Sequence, residues 1–284
     1  MKKMIKICLD AGHYAKYNQS PANKKYWESE AMWKLTEYLK EELKTYEGVH
    51  VKTTRKEQKK DLTLYNRGMQ AKGYDLFISN HSNAVGNRVD NSVDYVVVYR
   101  SYKNKNNANE LGLKLANAIA DIMETKQPAR TSTRKSEQGE WEYYGVLRGA
   151  DDAGCPYFFI IENSFHTNKR STEWLLKNEN LKQLAKTQAK VIADYFKLFK
   201  KGTMPSNKIT SESSKEDIRW AQKQLNEVLP SWHPRLVEDG IYGPKTRIAV
   251  LVYWEQLGWG RHMRDTGKGI GKATRKALAE GRKA

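Results

Sequence analysis

Two apolar runs in this chain end in the same way, and that ending restricts the fold more than any other feature. IKICLDAGH closes on His13, and YDLFISNHSNA carries His81 just beyond its hydrophobic part. Runs of this kind recur at 4–10, 49–54, 74–80, 93–99 and 157–162. Between them, Met32, Leu35, Leu39, Leu43 and Tyr46 repeat at helical spacing, as do Leu111, Leu115, Ile119 and Ile122. A last helix is expected over about 179–199, with Leu181, Leu184, Gln188, Val191, Tyr195 and Phe199 near one stripe. Near-continuous apolar strands alternating with helices predict an α/β fold, a mostly parallel twisted sheet flanked by helices. Sheets of this type place their sites at the carboxyl ends of the strands, where His13 and His81 fall.

The pattern changes after residue 200. Residues 201–214 are poor in apolar side chains and rich in Ser, Thr and Pro, so they read as a linker between a domain at 1–200 and a second at 215–284. In the second, DGIYGPKTRIAV is echoed by KGIGKATRKAL 28 residues later, with Gly243, Thr246 and Arg247 matching Gly271, Thr274 and Arg275. A turn glycine, a threonine cap and a helix used twice predict a small, mainly helical module with an internal duplication.

Fifty Lys and Arg against 33 Asp and Glu give a net charge of +17 over 284 residues, which favours a polyanionic partner. Nucleic acid is the less favoured partner, because no helix-turn-helix, zinc finger or aromatic RNA-binding signature accompanies the charge. No run of about 18 apolar residues offers a membrane span. The basic start MKKMIKICLDAGH is interrupted by Lys6 and Asp10, so a cytoplasmic product without a signal peptide is expected. The two cysteines, Cys8 and Cys155, lie beside apolar runs without metal-type spacing and are expected to be buried free thiols.

If His13 and His81 share a metal, two imidazoles alone hold it loosely; a catalytic zinc usually has three protein ligands and an open position. YWESEAMWKL supplies Glu28 and Glu30 at the start of the first helix, on the same rim. A further carboxylate that is not a ligand is needed to move a proton, and YFFIIENSFHTN places Glu162 at the end of another apolar run. Each of these residues alone is a weak signal; four at strand or helix ends form a specific combination.

Over residues 4–199 the chain resembles the zinc-dependent N-acetylmuramoyl-L-alanine amidases that cut bacterial peptidoglycan. The resemblance rests on LDAGH, an acid ahead of the first helix, TR after the second strand, YDLFISNHSNA and ENSFHTN. It implies one Zn2+ held by His13, Glu28 and His81, with Glu162 as the catalytic acid/base. Glu28 is preferred because it precedes Leu35 by seven positions, as the family's glutamate precedes a helix leucine; Glu30 is the ligand if that register slips. Departures are Ala11 for proline, Tyr14 for a second glycine, Ser164 for glycine and the extra imidazole of His166. They leave the ligand set intact and bear on the shape of the substrate groove.

Residues 215–284 resemble peptidoglycan-binding helical domains through DGIYGPKT after the amphipathic IRWAQKQLNEVL. An amidase joined to such a module is the layout of a phage endolysin, released through a phage-encoded pore and acting on peptidoglycan with anionic wall polymers nearby. A zinc peptidase cutting within the stem peptide is the nearest enzymatic alternative, and a non-catalytic wall-binding protein the alternative outside enzymes. Several neighbours have two readings. Asp10 orients a ligand imidazole or satisfies the DAGH turn. Asn80 and Asn83 bind substrate or shape their loop. His166 caps the following helix or meets substrate, the cap being preferred. Of Trp220, Tyr242, Trp254 and Trp259, part is expected in the core and an exposed part free to stack on sugars.

Overall fold

The computed structural model describes residues 4–103, 106–198, 200, 204–260 and 266–283, without the side chains of residues 106 and 107. The chain divides into two compact units, Met1–Leu198 and Phe199–Ala284. In the first, β1 (Ile5–Ala11), α1 (Glu28–Lys44), β2 (Val49–Thr53), α2 (Leu64–Met69), β3 (Leu76–Asn83), β4 (Val97–Tyr99), α3 (Asn106–Met123), β5 (Arg130–Ser132), α4 (Gly145–Asp152), β6 (Tyr157–Phe165), α5 (Lys169–Leu175) and α6 (Asn178–Phe196) follow in order. The sheet runs β2-β1-β3-β6-β4-β5. Its first four strands are parallel; β4 turns antiparallel against β6, and β5 pairs parallel to β4. The α/β fold with a mostly parallel sheet is therefore present. The strands at 76–83 and 157–165 run past their expected ends, while the one expected at 93–99 shortens to three residues. Phe199, expected at the end of the last helical stripe, lies outside the described residues.

Alternation along the strands divides the core in two. Ile7, Leu9, Leu76, Ile78, Phe159 and Ile161 face α1, α3 and α6. Cys8, Phe77, Phe158 and Ile160 face the other way, toward Val146, Leu147 and Ala150 of α4. Both cysteines are buried and neither is in a disulfide among the described residues; burial pushes the Cys8 thiol up to about 12. Among the described elements, two short helices of six and eight residues lie on the second face. They can approach closely because each presents a glycine: a Cβ on Gly68 would lie 2.1 Å from the Val146 carbonyl, and one on Gly149 2.1 Å from the Tyr65 carbonyl. The same parity that turns Cys8 and Phe77 to this face turns Asp10, Ser79, His81 and Glu162 to it further along.

The second unit has its own core, built from Ile218, Ala221 and Leu225 of α7 (Lys215–Val228), Val250 and Tyr253 of α8 (Pro244–Gln256) and Leu278 of α9 (Lys272–Ala279). The repeat is visible in the helix starts, but the threonines are not the caps. Gly243 and Gly271 occupy the N-cap positions, and Thr246 and Thr274 sit buried inside the first turn. Thr274 there accepts a hydrogen bond from Trp254 Nε1 at 2.9 Å.

Candidate metal centre and catalytic carboxyl

His13 follows β1 after Gly12, in a left-handed backbone conformation (φ 61°) that turns the chain off the sheet. Gly12 makes room for the turn: a Cβ there would meet the His81 ring at 2.5 Å and the Asn80 carbonyl at 2.8 Å. The loop returns to α1, whose first residue is Glu28. A carboxylate there meets the positive end of the helix dipole and its free amides. His81 stands on β3, with Glu162 as its register partner on β6.

His13, Glu28 and His81 converge, each offering a ligand atom within 4.8 Å of the others. Glu28 is buried and reaches both imidazoles, with Oε2 3.2 Å from His13 Nε2 and Oε1 3.0 Å from His81 Nδ1. Ser82 N–H also donates to Oε1, and Asn18 Nδ2 to Oε2 at 2.7 Å. Burial alone would raise the Glu28 carboxyl, but hydrogen bonds and charge from the two histidines hold it well below the usual range. Glu30 is not part of the cluster; it lies with Lys25, Trp27, Lys34 and Leu181 around a separate small hollow.

The donor set suits a dication. A tetrahedral zinc with bonds of about 2.0–2.1 Å sets its ligands roughly 3.3 Å apart, close to the spacings Glu28 keeps from the imidazoles. The tautomer of His81 points the same way. Its Nε2 is 3.1 Å from Ser79 Oγ, which donates to Asp10 Oδ2 at 2.7 Å. A carboxylate only accepts, so Ser79 gives its proton to Asp10 and receives the His81 Nε2–H bond. The Nδ1 lone pair then faces a carboxylate oxygen, an arrangement that a cation between them would satisfy. Asp10 is thus linked to the His81 imidazole through Ser79, and its other oxygen accepts from Thr54 Oγ1 at 2.5 Å.

Glu162 is half-buried beside this cluster, and its Oε2 is sealed from solvent with no hydrogen-bond partner among the described residues. Burial first, then the charge of Glu28, pushes its carboxyl well above the usual range. An unpaired buried carboxyl is costly, and such groups concentrate at sites of chemistry.

The remaining candidates have partners within the protein. Asn80 is fully buried and bonds to Gln188 and Asn163. Asn83 Oδ1 accepts from the amide of Ala84, and its carbonyl takes the His166 amide. His166 does not cap α5; Asn168 does, accepting from Ser171 N. His166 instead sits behind Glu28, with Nδ1 bonded to the Ser82 carbonyl at 2.8 Å and 3.9 Å from Glu28 Oε2. Ser164 has a left-handed backbone (φ 60°), the conformation that favours glycine, and holds it through Asp94 Oδ1 and Ser171 Oγ. Three residues went unnoticed in the sequence. Asn18 and Ser79 touch the cluster, and Arg67, buried, ties the loop down by donating to the carbonyls of Ala11 and His13.

A family profile described as N-acetylmuramoyl-L-alanine amidase matches residues 7–194. No curated protein sequence matches the chain significantly. Among solved structures, an N-acetylmuramoyl-L-alanine amidase from Clostridium difficile 630 superposes with a TM-score of 0.58 at 17% identity, covering 69% of this chain and 98% of that one. The catalytic domain of CwlV from Bacillus (Paenibacillus) polymyxa gives 0.56 at 18% identity, covering 68% and 99%. An amidase of Nostoc punctiforme gives 0.56 at 21%, covering 69% and 99%. These likenesses concern the fold; the profile, spanning most of the first unit, carries the assignment, and the chain belongs to the N-acetylmuramoyl-L-alanine amidase family.

Proposed function

We propose that this chain is a zinc-dependent amidase of the endolysin type, cutting the bond between N-acetylmuramic acid and the L-alanine of the stem peptide. The observation that carries the reading is the convergence of His13, Glu28 and His81 beside the Glu162 carboxyl, whose buried Oε2 has no hydrogen-bond partner among the described residues. His13, Glu28 and His81 would hold the zinc. When bound, zinc supplies Lewis acidity toward water and the scissile carbonyl. Glu162 is the proton carrier. Its Oε2 takes a proton as water adds to the carbonyl and returns it to the amide nitrogen as the C–N bond breaks. Water is consumed, and a lactyl carboxylate and a free L-alanine amine are formed. Burial and the charge of Glu28 raise the Glu162 carboxyl, which suits the second transfer, while a neighbouring dication would favour the ionised form needed for the first.

The second unit is proposed to hold the enzyme on peptidoglycan or an anionic wall polymer. Trp232 is 71% exposed and Trp259 36%, so both present rings to solvent, while Trp220 belongs to the core. Among the described residues no helix is long and apolar enough to cross a membrane. The joined layout supports release to the wall through a phage-encoded pore.

The test is metal content and turnover together. Glu162→Gln should keep one zinc per chain and lose at least about 100-fold in kcat, the scale of a general acid/base contribution. His81→Ala should lose both metal and turnover. An active His81→Ala variant without zinc would overturn the assignment.

A further inference from the structure

The first unit also fixes which way the substrate lies, and this inference rests on the amidase reading. His13 follows β1, His81 is on β3 and Glu162 on β6, and these strands are neighbours in the order β1-β3-β6. The cluster is therefore flanked by Glu162 on one side only. A group that protonates the leaving nitrogen must come within about 2.6–3.2 Å of it. The peptide half must then lie over the β6 side, and the acyl half, with its sugar, over the β1 side.

The β1 side carries two tyrosines that the core does not use. The Tyr17 ring lies against the His13 imidazole, centroids 4.7 Å apart and planes 13° apart. Tyr14 continues outward, 6.5 Å from Tyr17 and tilted by 20°. The rings remain 51% and 38% exposed. Their loop is nevertheless fixed. His13, Ala15 and Asn18 all adopt left-handed backbone conformations, unfavourable for residues with a Cβ. Ala15 exchanges hydrogen bonds with Gln58, and Ser29 Oγ donates to the Ala15 carbonyl and accepts from the Tyr17 amide. A strained and tightly bonded loop holding two large apolar rings in water is preorganised for a ligand.

We propose that Tyr14 and Tyr17 form a stacking shelf for the amino sugar that bears the scissile lactyl amide. The apolar face of a pyranose ring matches such a surface; the stem peptide, rich in carboxylates, does not. Tyr17 also supports His13 through their stacked rings, whereas the Tyr14 ring stacks on Tyr17, so Tyr14 is the variant that isolates the sugar contact.

The experiment compares two soluble substrates with the same scissile bond: a disaccharide-peptide, and a D-lactyl-L-alanyl peptide without sugar. Tyr14→Ala should lower kcat/KM about fivefold on the first, through KM, in keeping with the modest worth of one stacking contact. It should leave turnover of the second unchanged, and Tyr14→Phe should restore the first. In the zinc-loaded Glu162→Gln protein, saturation-transfer NMR should mark the pyranose protons, and Tyr14→Ala should weaken that signal with zinc content unchanged. Equal effects on both substrates, or none on either, would overturn the shelf while leaving the amidase reading intact. A parent protein that frees L-alanine termini from neither substrate takes down both.

Discussion

Ser79 spends a single hydroxyl on two partners, accepting from His81 Nε2 and donating to Asp10 Oδ2. That relay leaves the Nδ1 lone pair facing Glu28, the side on which the proposed zinc would sit. Ser79→Ala should lower zinc affinity by about 10- to 100-fold, the usual cost of losing an outer partner of a ligand histidine. Chelator competition measures it, and unchanged affinity would show that the relay does not fix the ring. Glu162 makes a second, pH-dependent prediction. In the metal-free protein its carboxyl is raised by burial and by Glu28. The folded chain therefore keeps a proton that the unfolded chain releases above about pH 4.3. The stability tied to that proton is full in acid and is lost as pH rises toward the folded value. Glu162→Gln cannot ionise, so with chelator present it should be more stable than the parent at pH 8, and the gap should close near pH 4. Thermal unfolding at both pH values decides; a constant gap contradicts the burial argument. At this scale His13, His81 and Glu162 were legible because each ends an apolar run. Glu28 against Glu30 needed the helix itself, since only the first residue of α1 turns into the site. Asn18, Ser79 and Arg67 carried no signal, because what recruits them is proximity created by the fold.

At the scale of elements, the site depends on how little covers one face of the sheet. Helices α2 and α4 are short and close, and Gly149 permits the closeness. Alanine ordinarily stabilises a helix by up to about 1 kcal/mol over glycine. Here its Cβ would meet the Tyr65 carbonyl at 2.1 Å, and backbone does not yield as a side chain can. Gly149→Ala should therefore destabilise the first unit by about 1–3 kcal/mol, measured by urea unfolding, as overpacking does. A neutral or stabilised variant would show that the helices have room to separate. Length decided which elements could be read. The long helices α1, α3 and α6 and the apolar parts of β1, β2, β3 and β6 carry clear periodicity. The three residues of β5 and the six of α2 are too short to show any. The polar ends of β3 and β6, beyond residues 80 and 162, were missed for another reason: residues such as Asn163 look like loop, yet Asn163 is buried and paired with Gln188 of α6.

At the scale of the whole molecule, the two units have separate cores, and the net charge of +17 belongs to the chain as a whole. If the second unit is an anchor, a chain ending at Leu198 should keep its turnover on a soluble disaccharide-peptide. On insoluble walls it should lose about tenfold or more at low enzyme concentration, because tethering multiplies local concentration. Full-length binding to walls should also weaken as salt rises, in proportion to how far charge steers it. The central claim is narrower: the three ligands and Glu162 together hydrolyse one particular amide. Its most direct test is to digest purified peptidoglycan with the zinc-loaded protein and label the new amino termini. The account predicts L-alanine termini and no new reducing sugars; an internal stem-peptide residue at the new terminus, or new reducing ends, would contradict it.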